Sequence, residues 1–300
     1  NMIRIDEIYN NTFWPWLQKN RPGTRMFFCD PPGVTTPDAL CNFGRSDIKE
    51  TDFIFLHDQE PIHIDLYHPL FDKVVVNTDD IVTDMKRQRS SKKIGHVVVS
   101  ERGEFVEELT REYQWTTHYY FYHGWAALDW FRGYNRSFLM PEPQHRQIKK
   151  TFIMPNRIIA GQREHRLLLL GHILKHGMSD NHISCPEVCP AENIHIMEAI
   201  EPLAKAYPDI RKVFAPYAFP FSFPGESDSP MDSYRLSLFD QCAESLLYLV
   251  TETVATGRRL HLTEKTFKPI CLRMPFIIVG TQGSLAYLRS YGFRTFGELW

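Results

Sequence analysis

Short apolar runs, each closed by Gly, Pro, Asp or Asn, recur through the first half of this chain. They predict strands over residues 26–29, 53–57, 73–77, 96–100 and 119–122. Helix-like spacing of apolar positions over 105–113 and 125–132 falls between some of them. Strands alternating with helices at such intervals predict a mostly parallel, doubly wound sheet. The pattern then breaks at Pro141-Glu142-Pro143-Gln144-His145-Arg146, which has two prolines and no apolar residue and marks a linker.

The second half restarts with a strand over 151–154 and a helix over 163–176 built on the leucine run 167–170. A helix over 233–244, strands over 245–251 and 275–279 and a helix over 284–291 follow, and the tail 293–300 reads as continuing. Two Pro-, Ser- and acid-rich loops, 178–192 and 216–233, interrupt this half. Loops so long within a compact domain are uncommon and are often functional. The expectation is two α/β domains, residues 1–145 and 151–300.

Composition narrows the picture. A chain of 300 residues exceeds the usual single domain. Its net charge of −2 gives no basic excess of the kind that grips nucleic acid through many phosphates. Local clusters remain, Lys86-Arg87-Gln88-Arg89 with Lys92-Lys93, and His145-Arg146 with Lys149-Lys150. No apolar run reaches the roughly 20 residues of a membrane span. The opening Asn1-Met2-Ile3-Arg4 has no apolar signal region, and Cys29, Cys41, Cys185, Cys189, Cys242 and Cys271 are scattered, as in a reduced cytoplasmic protein. Cys185 and Cys189 lack a second pair at zinc spacing, so no metal site is expected.

The densest chemistry lies between Leu249 and Gly280. Two acidic turns, Thr251-Glu252-Thr253 and Thr263-Glu264-Lys265, flank a basic loop, and an apolar run from Pro275 to Val279 closes on Gly280. Polar residues beyond the carboxyl ends of buried strands are where open α/β sheets bind ligands. Glu264 is suited to accept from ribose hydroxyls, and Lys265 at a helix start to hold phosphate.

This ordered set resembles the donor-binding segment of GT-B glycosyltransferases, most closely the fucosyltransferase type. The resemblance covers about a tenth of the chain and therefore bears on a site more than on a fold. It implies two Rossmann-like domains facing across a cleft, an N-terminal acceptor domain and a C-terminal donor domain. It also implies a nucleoside-diphosphate sugar as co-substrate, of GDP or UDP type, with no other cofactor. Glu264 matches the family's ribose-binding Glu, Lys265 its phosphate-binding Lys and Glu252 the Glu ending the preceding strand, with Thr263 opening the helix. The family's Asn-Ser after that Glu is Thr253-Val254 here, and Thr266 and Lys268 replace the bulkier apolar residue and the Arg often found there. In the family the first donor-domain strand leads to an Asn, matched by Asn156, and then to a diphosphate-binding Arg that opens a helix. That role falls on Arg163 or Arg166, and the spacing leaves the two open.

The residues themselves point to Arg163 and Arg166 as well. Cations at the positive end of a helix dipole are locally unfavourable, and an arriving anion relieves the conflict. For a general base, the turn His57-Asp58-Gln59-Glu60-Pro61 follows an apolar strand, making Glu60 the first candidate, Asp58 the second and Glu101 a third. His123, before Gly124 at a strand-to-helix turn, is a candidate acceptor contact.

The function expected is metal-independent, inverting transfer of a sugar to a glycan or glycoconjugate hydroxyl. Two alternatives stand beside it: transfer to hydroxymethylated bases in DNA, and a non-catalytic GT-B-like module binding glycans or nucleotides. A dinucleotide oxidoreductase ranks last, because no G-x-G-x-x-G follows the first strands.

Overall fold

A computed structural model describes residues 57–58, 96–99, 101–104, 106–107, 116–119, 123–124, 145–161, 163–223, 236–257, 259–295 and 297, with single positions at 19, 111, 127 and 130. The expected strands over 26–29 and 73–77, residues 224–233 of the loop expected over 216–233, and Glu60 lie outside the described residues.

In chain order the first strands are β1 (His57–Asp58), β2 (His96–Val99), β3 (Arg102–Gly103), β4 (Thr116–Tyr119) and β5 (Lys150–Met154). Helix α1 (Glu164–Lys175) precedes β6 (His182–Ile183), β7 (Val188–Cys189) and β8 (Ile194–His195). Then come α2 (Ile196–Ala199), a 3-10 turn at Glu201–Lys205, α3 (Ile210–Phe214), α4 (Phe239–Glu244) and β9 (Ser245–Thr251). The last elements are β10 (Arg259–Leu260), α5 (Glu264–Cys271), β11 (Phe276–Val279) and α6 (Ser284–Ser290).

These elements group into two compact units, Ile3–Tyr122 with Arg258–His261, and His123–Gly257 with Leu262–Trp300. Residues 123–145, expected with the first half, group with the second. In the first unit β1, β2 and β4 form a parallel sheet in the order β1-β2-β4, and β3 pairs antiparallel with β10. Of the strand expected over 119–122 only Tyr119 is described, as the last residue of β4, which begins at Thr116 opposite His96; residues 120–122 lie outside the described residues.

In the second unit four strands run parallel in the order β11-β9-β5-β6. The fold is therefore mixed α/β with a parallel sheet. Parallel strands are covered on both faces and read as continuous apolar runs; accordingly Tyr248, Leu249, Val250 and Thr251 of β9 are all buried. Helix α1 buries Leu167, Leu170, Ile173 and Leu174 against this sheet, at the three- and four-residue spacing of one helical face. Its other neighbour is α3. A Cβ added at Gly171 would sit 3.3 Å from Phe214, so glycine permits that approach.

Two details depart from the sequence pattern. The helix expected from 233 begins only at Phe239, because Leu238 before it is left-handed (φ 63°, ψ 35°) and cannot continue a helix backwards. The loop 178–192 carries β6 and β7, strands of two residues each, too short to show any alternation. No helix among the described residues is long and apolar enough to cross a membrane.

Candidate functional site

In the second unit the chain runs from β5 outward to β6 and returns on the other side to β9 and β11, so the strand order reverses between β5 and β9. Beyond the carboxyl ends of two such strands the crossing helices diverge and leave a crevice, the usual ligand site of open α/β sheets. Asn156, Arg163, Arg166, Glu252, Thr263, Glu264 and Lys265 all follow β5 or β9 in this unit.

At these strand ends lies a buried lattice of hydrogen bonds. Thr251 Oγ1 donates to Asn156 Oδ1 at 2.5 Å, and the Asn156 main-chain N–H donates to Ser184 Oγ at 2.8 Å, which ties the ends of β9, β5 and β6 together. Arg166, 3 % exposed, donates to the carbonyls of Ile158 (2.6 Å), Thr251 (3.1 Å) and Glu252 (3.3 Å). Its guanidinium thus braces two main-chain segments, the loop after β5 and the end of β9. Arg163, at the N-cap of α1, is only partly buried, and among the described residues no side chain caps that helix end. An uncapped helix N-terminus presents free N–H groups and the positive end of the dipole.

His165, between the two arginines, bonds through Nε2 to the Glu252 carbonyl at 2.9 Å. Since a carbonyl only accepts, Nε2 carries the proton. Burial, then the charges of Arg166 and Arg163, press its pKa down to about 4 against the carbonyl bond, so the imidazole is neutral at physiological pH.

Glu252, fully buried, organises the start of α5. One carboxylate oxygen accepts from the Thr263 N–H (3.1 Å) and from the Thr266 hydroxyl; the other accepts from the Thr263 hydroxyl (2.7 Å) and the Thr253 N–H (3.3 Å). Thr263 in turn caps α5, its Oγ1 accepting from the Lys265 N–H at 3.3 Å. Gly280, at the end of β11, lies so close that a Cβ there would be 3.2 Å from the Glu252 Cβ. Glu252 therefore positions the Thr-Glu-Lys turn.

Glu264 is itself buried, 4 % exposed, with the Lys265 ammonium 2.6 Å from Oε1 and His123 Nδ1 3.5 Å from Oε2. Burial raises its pKa, but Lys265, His123 and Lys268 together outweigh that and hold it at about 2. It is an ionised acceptor. Lys265 also reaches the hydroxyls of Thr253 and Thr263, each at 3.4 Å, and keeps part of its side chain in solvent. The sequence presented His123 and Glu264 as unconnected candidates; the fold brings them together.

The candidates of the first half are placed differently. Asp58 ends β1, while Glu60 lies outside the described residues. Glu101, fully buried, is gripped by the Arg259 guanidinium at 2.5 and 2.6 Å. Both of its oxygens are thus engaged by one guanidinium. The basic stretch before β5 is also engaged. Arg146 donates to the carbonyls of Cys242, Ala243 and Ser245, Lys149 pairs with Glu244 at 2.5 Å, and Lys150 pairs with Asp180.

Ser184, Thr251 and Thr266 were missed by the sequence reading. Their one signal is a hydroxyl residue at a strand end or, for Thr266, three positions after the cap, which becomes meaningful only when the facing strand is known. Compared with known proteins, the chain matches no family model, no curated protein and no solved structure.

Proposed function

We propose that this protein is a glycosyltransferase that moves a sugar from a nucleoside-diphosphate sugar, of GDP or UDP type, to the hydroxyl of a glycan or glycoconjugate acceptor. The observation that carries the reading is at the strand-order reversal of the second unit. There the uncapped start of α1, led by Arg163, and the start of α5, bearing Lys265, follow the carboxyl ends of adjacent parallel strands. Two helix N-termini with cations suit a diphosphate, and an ionised carboxylate at Glu264 suits ribose hydroxyls. The resemblance of the Thr-Glu-Lys segment to fucosyltransferase-type donor sites supports the same assignment and, with it, a GT-B arrangement of two Rossmann-like domains.

In this reading Arg163 and Lys265 hold the diphosphate, while Arg166, Glu252, Thr263 and Asn156 keep the crevice in shape. The acceptor oxygen attacks the anomeric carbon from the face opposite the leaving group. The bond from that carbon to the phosphate oxygen breaks, its electron pair leaves with the nucleoside diphosphate, and the hydroxyl proton passes to a carboxylate, inverting the centre. That base is assigned to Glu60, with Asp58 next. Glu101, held by Arg259, is the weakest of the three. The cations are sufficient for leaving-group stabilisation without a divalent metal.

Calorimetry of the whole chain against GDP, UDP, CDP and dTDP, and against their sugar esters, in excess EDTA, tests the reading. Binding of one nucleoside diphosphate with a rise in apparent stability is expected. If none of these binds, with or without manganese, the proposal fails.

A further inference from the structure

The lattice at the strand ends also borders a cavity. It lies beyond the carboxyl ends of β5 and β6 and has a volume of about 410 Å³, in the size range of small-ligand sites. Asn156 and Ser184, which tie the two strand ends, form part of its wall, with Arg157, Glu187, Phe221 and Ser222 among the others. A main-chain bridge between Cys185 and Phe221, with bonds of 2.9 and 3.0 Å, fixes the loop carrying Phe221 to the end of β6. Phe221 is held in turn by Phe219, edge to face at 5.1 Å, and Tyr217 at 6.0 Å.

The lining combines one braced aromatic ring, hydroxyl and amide groups that both donate and accept, a guanidinium that only donates and a carboxylate. A pyranose presents this chemistry in reverse. Each of its hydroxyls both donates and accepts, and its C–H face is apolar enough to lie on an aromatic ring.

Direction argues for the same occupant. With the ribose at Glu264 beside β9 and the diphosphate over the β5–β9 reversal, the far end of the donor points across β5 towards β6. Adjacent strands are about 4.8 Å apart, so from β9 to β6 is about 10 Å. A diphosphate joining two sugar rings covers a distance of that order.

We propose that this cavity binds the glycosyl residue of the donor, with Arg157 and Glu187 reading its hydroxyls and Phe221 its apolar face, so that it sets which sugar is transferred. This rests on the nucleotide-sugar reading given above. Glu187 is half exposed, with His195 Nε2 at 3.6 Å, and Val188 beside it is 42 % exposed, so both can be altered without opening the core.

The test compares a nucleoside diphosphate with its sugar esters on the whole chain. The probes are GDP with GDP-mannose and GDP-fucose, and UDP with UDP-glucose and UDP-galactose. In the unaltered protein one ester is expected to bind more tightly than its parent diphosphate. Glu187→Ala removes a charged acceptor, and Val188→Trp fills the cavity. Each is expected to weaken that ester by roughly ten- to hundredfold while leaving the parent diphosphate unchanged. Phe221→Leu gives a third reading and, unlike the other two, is accompanied by a thermal melt to confirm folding.

If the parent diphosphate binds but no ester gains over it, or if Glu187→Ala and Val188→Trp leave the gain intact, the sugar lies elsewhere. Equal weakening of ester and diphosphate would place the nucleotide itself in the cavity and overturn the assignment. If the unaltered protein binds no nucleoside diphosphate, it is the glycosyltransferase reading that fails.

Discussion

Replacing Glu252 by Gln keeps shape and volume but substitutes an amide NH2 for one acceptor oxygen. The oxygen facing Thr263 N–H (3.1 Å) and the Thr266 hydroxyl has the stronger main-chain contact, so the Gln carbonyl is expected to stay there. The NH2 then faces the Thr263 hydroxyl and the Thr253 N–H, formerly at 2.7 and 3.3 Å. A hydroxyl can turn its lone pair to the new donor; a main-chain N–H cannot. Thr253 is 4 % exposed, so its N–H is left buried and unpaired, and an unsatisfied buried donor costs about 1–3 kcal/mol. The Thr263 hydroxyl must also reorient while it accepts from Lys265, loosening the cap of α5. Together these give a loss of about 2–3 kcal/mol, a large share of the roughly 5–15 kcal/mol typical of a domain. Thr266→Val removes one donor from the same carboxylate at a cost of about 1 kcal/mol. In the double variant the two losses should fall short of their sum, because the atoms touch. Urea unfolding of the four proteins, followed through the transition of the second unit, measures this. A Glu252→Gln variant within 0.5 kcal/mol of the unaltered protein, or strictly additive losses, would refute the claim that Glu252 organises the helix start.

Lys265→Ala is expected to weaken nucleoside-diphosphate binding by about 1.5–3 kcal/mol, the value of a charge-assisted hydrogen bond, as read by calorimetry. Glu60→Gln should leave donor affinity nearly intact and lower turnover by roughly 10²–10⁴, whereas Glu264→Gln should weaken donor binding first; turnover in Glu60→Gln equal to that of the parent moves the base to Asp58 or Glu101. Acid stability carries a signature of His165, whose pKa falls from 6.5 to about 4 on folding. The unfolded chain then binds more protons between those values, so stability is complete above pH 6.5 and falls on acidification towards pH 4, by up to roughly 3 kcal/mol. His165→Gln should flatten that limb of the pH–stability curve, and an unchanged limb would assign it to another group. Glu264, lowered from 4.5 to about 2, adds a separate loss between those pH values, since a depressed carboxylate stabilises only while ionised.

Helix α1, strands β5 and β9 and the start of α5 at Glu264 were all legible in the sequence. Each is encoded locally. Leucines at 167 and 170 with Ile173 and Leu174 define one helical face, the apolar run before Thr251 marks a strand buried on both sides, and Thr263 is a residue type that caps helices. The chemistry of the Thr-Glu-Lys turn was legible for the same reason, its charge and hydroxyl groups being contiguous.

The partner of each charge was another matter. Arg163 and Arg166 differ by less than one helical turn, and nothing in their spacing tells that Arg166 turns inward to carbonyls 85 and 86 residues away, while Arg163 stays at the helix mouth. Glu101 reads as a free base candidate until Arg259, 158 residues later, closes on it. Glu252 reads as a ligand contact until Thr263 and Thr266 surround it, and the cavity at Phe221 exists only because β6 ends beside that loop. Periodicity records which face of an element is buried, because burial acts on every turn of a helix or alternate residue of a strand. Pairing of polar groups depends on where the chain returns, and that is decided when the parallel strands β5 and β9, almost a hundred residues apart, take their places side by side.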